Sequence, residues 1–200
     1  MDRFIPKQED TKDYVALRSS EDGNCLYSSA SLLSNSSLKT VNVLRLLTLI
    51  ELFEKASYYA RYSLFVKQVE NNNSNLSSVL VACVSFECSD QFKLINSESA
   101  SEIIIMEALI NCQANKFSSF LCLIALSSVL NIPIRSIYPD FGLEKFKKLF
   151  NAIIFPFRSI KNQDQNVLNI LWCNTDIMSV MQNNNNWTPN HFVPIIISLN

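Results

Sequence analysis

The spacing of apolar residues predicts that the first part of the chain is helical. Within Leu38–Val69, apolar residues recur at intervals of three and four residues, which is typical of one long helix: Val43, Leu46, Leu47, Ile50 and Phe53. The polar run Asn71–Asn75 predicts a loop after it. Further segments with helical character are Cys25–Ser34, Glu102–Cys112 and Ser118–Leu130.

The last third of the chain has a different pattern. Its apolar segments are short, rich in residues that favour β-strands and separated by turn residues: Ile134–Tyr138, Ala152–Phe157, Val167–Trp172 and Phe192–Ser198. Tyr14–Leu17 predicts an edge strand near the start. This order indicates an α+β domain, in which a helical first part packs on a small central sheet formed mainly by the C-terminal third. We expect a single domain over residues 1–200, with residues 1–13 as a flexible arm.

Composition narrows the class of protein. The 200 residues are 48% hydrophobic and 18% charged, which is typical of a globular domain. A net charge of −1 argues against a nucleic-acid or membrane partner, and we interpret the one dense basic run, Lys145–Lys148, as a solvated face. The start has no apolar stretch typical of a signal peptide, and the six cysteines form no disulfide-framework pattern. We therefore expect a cytoplasmic location, or the host cytosol for a protein secreted by a pathogen or symbiont.

Candidate chemistry begins at Asp22-Gly-Asn-Cys25, here called the cysteine loop. Gly23 permits the positive φ angle or close backbone approach of a sharp turn, and Asn24 is expected to cap a helix that begins near Cys25. The helix N-terminus would favour a thiolate at Cys25, and the amides of Gly23, Asn24 and Cys25 could form an oxyanion hole. The alternative is a buried structural cysteine behind an ordinary turn.

His191 is the one histidine in the chain, so it is the one histidine that could act as a base for this thiol. It begins the last predicted strand, where residues i and i+2 face the same side. An orienting carboxylate or amide would therefore fit at position 193, but that residue is Val193.

The identity of the third residue of the site, the one that orients the imidazole, is therefore open. We favour Asp22, which could reach the imidazole or brace the oxyanion loop. Asn174, Asp176 and Asn190 are the alternatives.

Several of these residues resemble a known family. Asp22-Gly-Asn-Cys-Leu-Tyr27, with the small residue Ala30 one turn on, is similar to the signature of the ovarian tumour (OTU) cysteine proteases. His191-Phe192 resembles their closing motif, and Phe117–Ile134 their middle helix and the loop into a central strand.

A fainter likeness connects Cys25–Leu33 and Ser136–Pro139 with divergent OTU-like segments of vertnin-like and mobile-element proteins. The chain also departs from the OTU pattern. Val193 stands where many members have aspartate or asparagine, and Ser28 stands where many have arginine.

The resemblance implies a papain-like α+β fold and a deubiquitinase that cleaves the isopeptide bond at the C-terminus of ubiquitin. Its partner would be ubiquitin, polyubiquitin or a ubiquitin-like modifier, with no metal or organic cofactor. It carries over Cys25 as nucleophile, His191 as base and Asp22 as the aspartate of the motif. The residues around the histidine that we expect to contact substrate are Trp187, Asn190 and Phe192.

Two other functions remain open. One is a catalytically silent OTU-like module that binds ubiquitin or another protein, for which Val193 is the best argument. The other is a cysteine hydrolase or acyltransferase with a different substrate. A structural zinc site is not expected, because Cys83 and Cys88 are not in a C-x-x-C pair and no histidine is spare.

Overall fold

The computed structural model describes residues 14–34, 40–85, 88–89, 99–113, 115–139, 144–157, 166–174 and 189–197. Its helices are α1 (Cys25–Leu33), α2 (Val41–Glu54), α3 (Ala56–Tyr59), α4 (Ser63–Asn72), α5 (Leu76–Val81), α6 (Ala100–Asn111), α7 (Phe120–Leu130) and α8 (Glu144–Phe150). Its strands are β1 (Tyr14–Ala16), β2 (Ile134–Ile137), β3 (Ala152–Ile154), β4 (Leu168–Cys173) and β5 (His191–Ile197). The predicted arm, residues 1–13, lies outside the described residues.

These strands form one mixed sheet in the order β1-β5-β4-β2-β3. β2 and β4 are parallel, and the other neighbouring pairs are antiparallel. In the described part of the chain, every strand except β1 comes from residues 134–197, and most of the helical residues come before them. The predicted α+β class is therefore confirmed, and β1 is an edge strand as predicted.

The main hydrophobic core lies between the helices and one face of the sheet. Ile170, Trp172 and Phe192 belong to this core, together with α7. Helix α7 is apolar on nearly all sides, and its residues from Phe120 to Ser127 are buried. A smaller cluster on the opposite face includes Leu171 and Val193.

The predicted single helix over Leu38–Val69 is wrong, because the chain forms α2, α3 and α4 instead. Lys55 separates the first two, and Tyr62 is extended, with φ −61° and ψ 135°, before α4. The breaks allow both Tyr59 and Phe65 to be fully buried. In a continuous helix these two side chains would point roughly 120° apart.

Helix α2 also presents an unexpected face to the core. Its buried positions are Leu44, Arg45, Thr48, Leu49 and Leu52. Of the five apolar positions whose spacing predicted the helix, Leu47 is half-buried and the other four are exposed, with exposed fractions from 43% to 55%: Val43, Leu46, Ile50 and Phe53. Both faces are rich in apolar residues, so the spacing identified a helix without identifying its buried side.

The sequence did not predict helices α5 and α8. The loop expected over Asn71–Asn75 contains the left-handed residue Asn73, and Asn75 then caps α5 by accepting a 2.7 Å hydrogen bond from the Ser78 amide. Helix α8 contains the Lys145–Lys148 run, and Lys148 is exposed.

Candidate active site

Gly23 has the backbone conformation that the sequence predicted for the cysteine loop. Its φ angle is +78°, in the left-handed region that favours glycine. A Cβ atom there would also lie 2.8 Å from the carbonyl carbon of Asn115 and 2.9 Å from the backbone oxygen of Lys116. Both reasons for a glycine therefore apply, and α1 begins two residues later at Cys25.

The Asn24 side chain does not cap α1, which corrects the prediction. Its Oδ1 accepts a 3.0 Å hydrogen bond from Arg45 Nη1, and its Nδ2 donates to Asp22 Oδ2 over 3.2 Å. The backbone amide of Asn24 also donates to Asp22, to Oδ1 at 3.2 Å. This amide is therefore committed to a carboxylate, and of the three amides predicted to form the oxyanion hole, those of Gly23 and Cys25 are the better candidates.

Arg45 holds the cysteine loop against the segment that joins α6 to α7. This side chain is only 9% exposed, and its guanidinium lies 5.7 Å from the centroid of the Tyr27 ring. Its nitrogens donate to oxygens on both segments at 2.8–3.1 Å: Gly23 O, Asn24 Oδ1, Asn111 O, Gln113 O and Lys116 O. The planar fork of arginine can bind several acceptors at once, and here it connects α2 with both loops.

His191 begins β5 opposite Cys173 on β4. Its Nε2 atom lies 2.9 Å from Ser19 Oγ, in the loop between β1 and the cysteine loop. Ser19 Oγ also donates to the backbone oxygen of Phe192 over 2.5 Å, and Ser29 Oγ on α1 donates to the same oxygen over 3.2 Å. These bonds attach α1 and the Ser19 loop to the start of β5.

Cys25 and His191 line the same pocket, although they lie at opposite ends of the chain. The predicted Asn190 and Phe192 lie in its lining too, whereas Trp187 lies outside the described residues. Sequence reasoning missed the other lining residues: Phe117, Ser118, Trp172 and Pro189. Trp172 is held in place by a 2.8 Å hydrogen bond from its Nε1 to Ser136 Oγ.

The third position beside the imidazole is occupied by Ser19 rather than by Asp22. Asp22 is exposed, and its carboxylate bonds to Asn24, so its geometry is that of a brace for the cysteine loop. Among the alternatives, Asn190 lies in the pocket lining, Asn174 follows β4, and Asp176 lies outside the described residues. No sequence signal marks Ser19, since it is one serine of a polar pair after a short strand.

The sequence model of the vertnin OTU domain matches residues 16–173. The chain belongs to this OTU family. The matched range contains the cysteine loop and β4 and ends before β5. The suspected OTU resemblance is confirmed, including the fainter likeness to vertnin.

Comparison with curated proteins gives no match for this OTU domain. Among solved structures, it is similar to one titled "Structure of OTUD1 OTU domain", with a TM-score of 0.43 and 12% sequence identity. The alignment covers 94% of this chain and 88% of that chain.

Burial sets the electrostatics of the pocket. It raises the pKa of Cys25 above its ordinary value, although backbone amides of Phe192, Leu26 and Cys25 itself favour the thiolate. Burial also lowers the pKa of His191, against the opposing effect of the Glu21 carboxylate. Both shifts favour the neutral forms, a thiol at Cys25 and an uncharged imidazole at His191. The amides at the start of α1 favour the thiolate, as the sequence predicted, but burial is the larger effect and the net shift raises the pKa of Cys25.

Within the described residues, no group of three or more His, Cys, Asp or Glu side chains could hold a metal ion. None of the helices described is both long and apolar enough to cross a membrane.

Proposed function

We propose that this OTU domain is a cysteine-dependent deubiquitinase that hydrolyses isopeptide bonds at the C-terminus of ubiquitin. The observation that carries the proposal is that Cys25, at the start of α1, and His191, at the start of β5, line one pocket. A nucleophile and a base that converge from distant parts of the chain are what thiol-dependent acyl transfer requires.

In the proposed reaction the imidazole of His191 accepts the Cys25 thiol proton as the sulfur attacks the carbonyl carbon of the terminal glycine of ubiquitin. The resulting oxyanion is held by amides of the cysteine loop, with those of Gly23 and Cys25 as candidates. The imidazolium then returns the proton to the lysine amine as the C–N bond breaks, which leaves a thioester. Water, deprotonated by the same imidazole, hydrolyses this thioester and regenerates the thiol.

The pocket lining supports a substrate with little side-chain bulk near the scissile bond. Three aromatic residues belong to this lining, Phe117, Trp172 and Phe192, and the rings of Trp172 and Phe192 pack together with centroids 4.5 Å apart. The Gly-Gly end of ubiquitin has no side chains to clash with such walls.

A second candidate function is a catalytically silent module that binds ubiquitin. The specific observation in its favour is the uncharged neighbour of the imidazole: Ser19 stands where a carboxylate would stabilise the imidazolium. Burial also raises the pKa of Cys25 and lowers that of His191, and both shifts oppose the charged pair.

A ubiquitin probe with a thiol-reactive C-terminus separates these functions. If the domain is a deubiquitinase, the probe labels Cys25, and Cys25→Ala abolishes both labelling and turnover of polyubiquitin while ubiquitin binding persists. His191→Ala should lose nearly as much, since the chain has no second histidine.

Cys112, an exposed free cysteine, provides the matched control: Cys112→Ala should label like the wild type. Binding of the probe without labelling supports the silent module. Neither binding nor labelling contradicts both functions and favours a hydrolase or acyltransferase with another substrate.

A further inference from the structure

The hydroxyl of Ser19 determines which nitrogen of His191 carries a proton. Ser19 Oγ lies 2.9 Å from His191 Nε2 and 2.5 Å from the backbone oxygen of Phe192. A carbonyl oxygen can only accept, and a hydroxyl has one proton to donate. Two oxygens at 2.5 Å without a proton between them would repel each other, so this proton lies between Ser19 and Phe192.

With its proton used in this way, Ser19 can only accept from Nε2, which must therefore carry the hydrogen. A neutral imidazole has a single N–H group, so its lone pair is on Nδ1. The Nδ1 lone pair points away from Ser19, and the pocket that the ring lines also contains Cys25.

We propose that Ser19 is the positioning residue of this site: it holds His191 as the Nε2–H tautomer and leaves Nδ1 free to act as the base for Cys25. The proposal rests on the proposed function for its catalytic meaning. An orienting carboxylate or amide would fit two residues after the histidine, but that residue is Val193. Ser19 takes this orienting role instead. It does so from 172 residues away in the chain.

A serine in this position orients the ring without adding charge. Among the residues that the structure describes, the titratable groups near the ring are the thiol of Cys25 on α1, the thiol of Cys173 paired opposite on β4, and Glu21 in the preceding loop. Glu21 is exposed and lies 3.8 Å from Arg18, so water and a cation screen its charge. The ring is therefore held mainly by the hydrogen bond from Nε2 to Ser19, and loss of this hydroxyl should loosen it.

NMR of the chain labelled with ¹⁵N-histidine tests the proposal, because the single histidine gives one pair of ring nitrogens. At a pH where the ring is neutral, wild type should show a protonated Nε2 and an unprotonated Nδ1. In Ser19→Ala the Nε2 proton should exchange with water roughly tenfold faster or more, since one buried hydrogen bond is lost. Ser19→Thr retains the hydroxyl and should restore slow exchange.

Ser29→Ala is the matched control. It removes a hydroxyl that donates to the same Phe192 oxygen, at 3.2 Å, without bonding the ring, so the tautomer and its exchange rate should remain those of wild type. A wild-type protein with the proton on Nδ1 would overturn the proposal. So would Ser19→Ala with unchanged Nε2–H exchange.

Turnover of polyubiquitin gives the second measurement. Ser19→Ala should lower kcat by about tenfold with KM nearly unchanged, because the hydroxyl acts on the base and not on substrate binding. An equal decrease of kcat in Ser19→Ala and Ser29→Ala would contradict the assignment of Ser19 as the positioning residue. The tautomer is measured without ubiquitin, so the NMR result alone decides the role of Ser19. If the ubiquitin probe failed to label Cys25, the proposed function would be rejected, and the NMR result would still stand.

Discussion

Replacement of Arg45 by methionine should destabilise the fold and loosen the cysteine loop. Two of the acceptors that Arg45 serves, Gly23 O and Asn111 O, are in buried hydrogen bonds. A buried acceptor that loses its donor costs about 1–3 kcal/mol, so these two together predict a loss of about 2–6 kcal/mol. Against a typical total of about 5–15 kcal/mol, this is a large fraction of the free energy of unfolding.

Urea unfolding measures this loss as a lower transition midpoint. Arg61→Met is the matched control, because Arg61 is exposed and its replacement should change stability by no more than about 0.5 kcal/mol. Arg45→Lys should fall between Arg45→Met and wild type, since one ammonium group cannot span the acceptors of both loops.

Labelling of Cys25 by the ubiquitin probe provides a functional measurement under conditions where each variant is folded. We expect slower labelling in Arg45→Lys, because the Gly23 and Asn24 contacts that shape the loop are weakened. If Arg45→Met unfolded at the same urea concentration as Arg61→Met, the guanidinium network would not stabilise the domain and the reasoning would be refuted.

Three further predictions follow from the same region. Gly23→Ala should cost at least about 1–2 kcal/mol in urea unfolding, because its φ of +78° is unfavourable for a residue with a Cβ and the new atom meets backbone at 2.8 Å; an unchanged midpoint would contradict this geometry. Because burial lowers the pKa of His191, the unfolded chain binds that proton more readily, so stability should fall as pH drops below about 6.5. His191→Gln should show a smaller fall between pH 8 and pH 5.5, and an identical fall in both proteins would reject the shift. Iodoacetamide at neutral pH should modify the exposed Cys112 faster than the buried Cys25, as judged by peptide mass spectrometry, whereas faster reaction at Cys25 would indicate a thiolate.

The sequence by itself determined the parts of this protein that depend on neighbouring residues. The turn at Gly23, the start of α1 at Cys25 and the late strands follow from local backbone preferences and from the spacing of apolar residues. A positive φ angle needs no distant partner to be predicted. The family resemblance was readable for the same reason, since the cysteine motif is contiguous.

Where both sides of a segment are apolar, spacing could not decide its orientation. In α2, the exposed Leu46 and Phe53 are more hydrophobic than the buried Arg45 and Thr48. Arg45 is buried because it meets carbonyl groups from two distant loops, and such acceptors exist only after the chain has folded. The periodicity shows where apolar residues lie along the helix, but it does not show which other parts of the chain will pack against them.

The candidate active site likewise contains residues that the sequence predicted and one that only the structure identifies. Cys25 and His191 could be named from the sequence because a thiol needs a base and the chain has a single histidine. Ser19 could not, because its role depends on a hydrogen bond across 172 residues and on a proton shared with the Phe192 carbonyl. Only the tertiary structure brings that hydroxyl beside the ring. The burial that raises the pKa of Cys25 and lowers that of His191 also follows from packing.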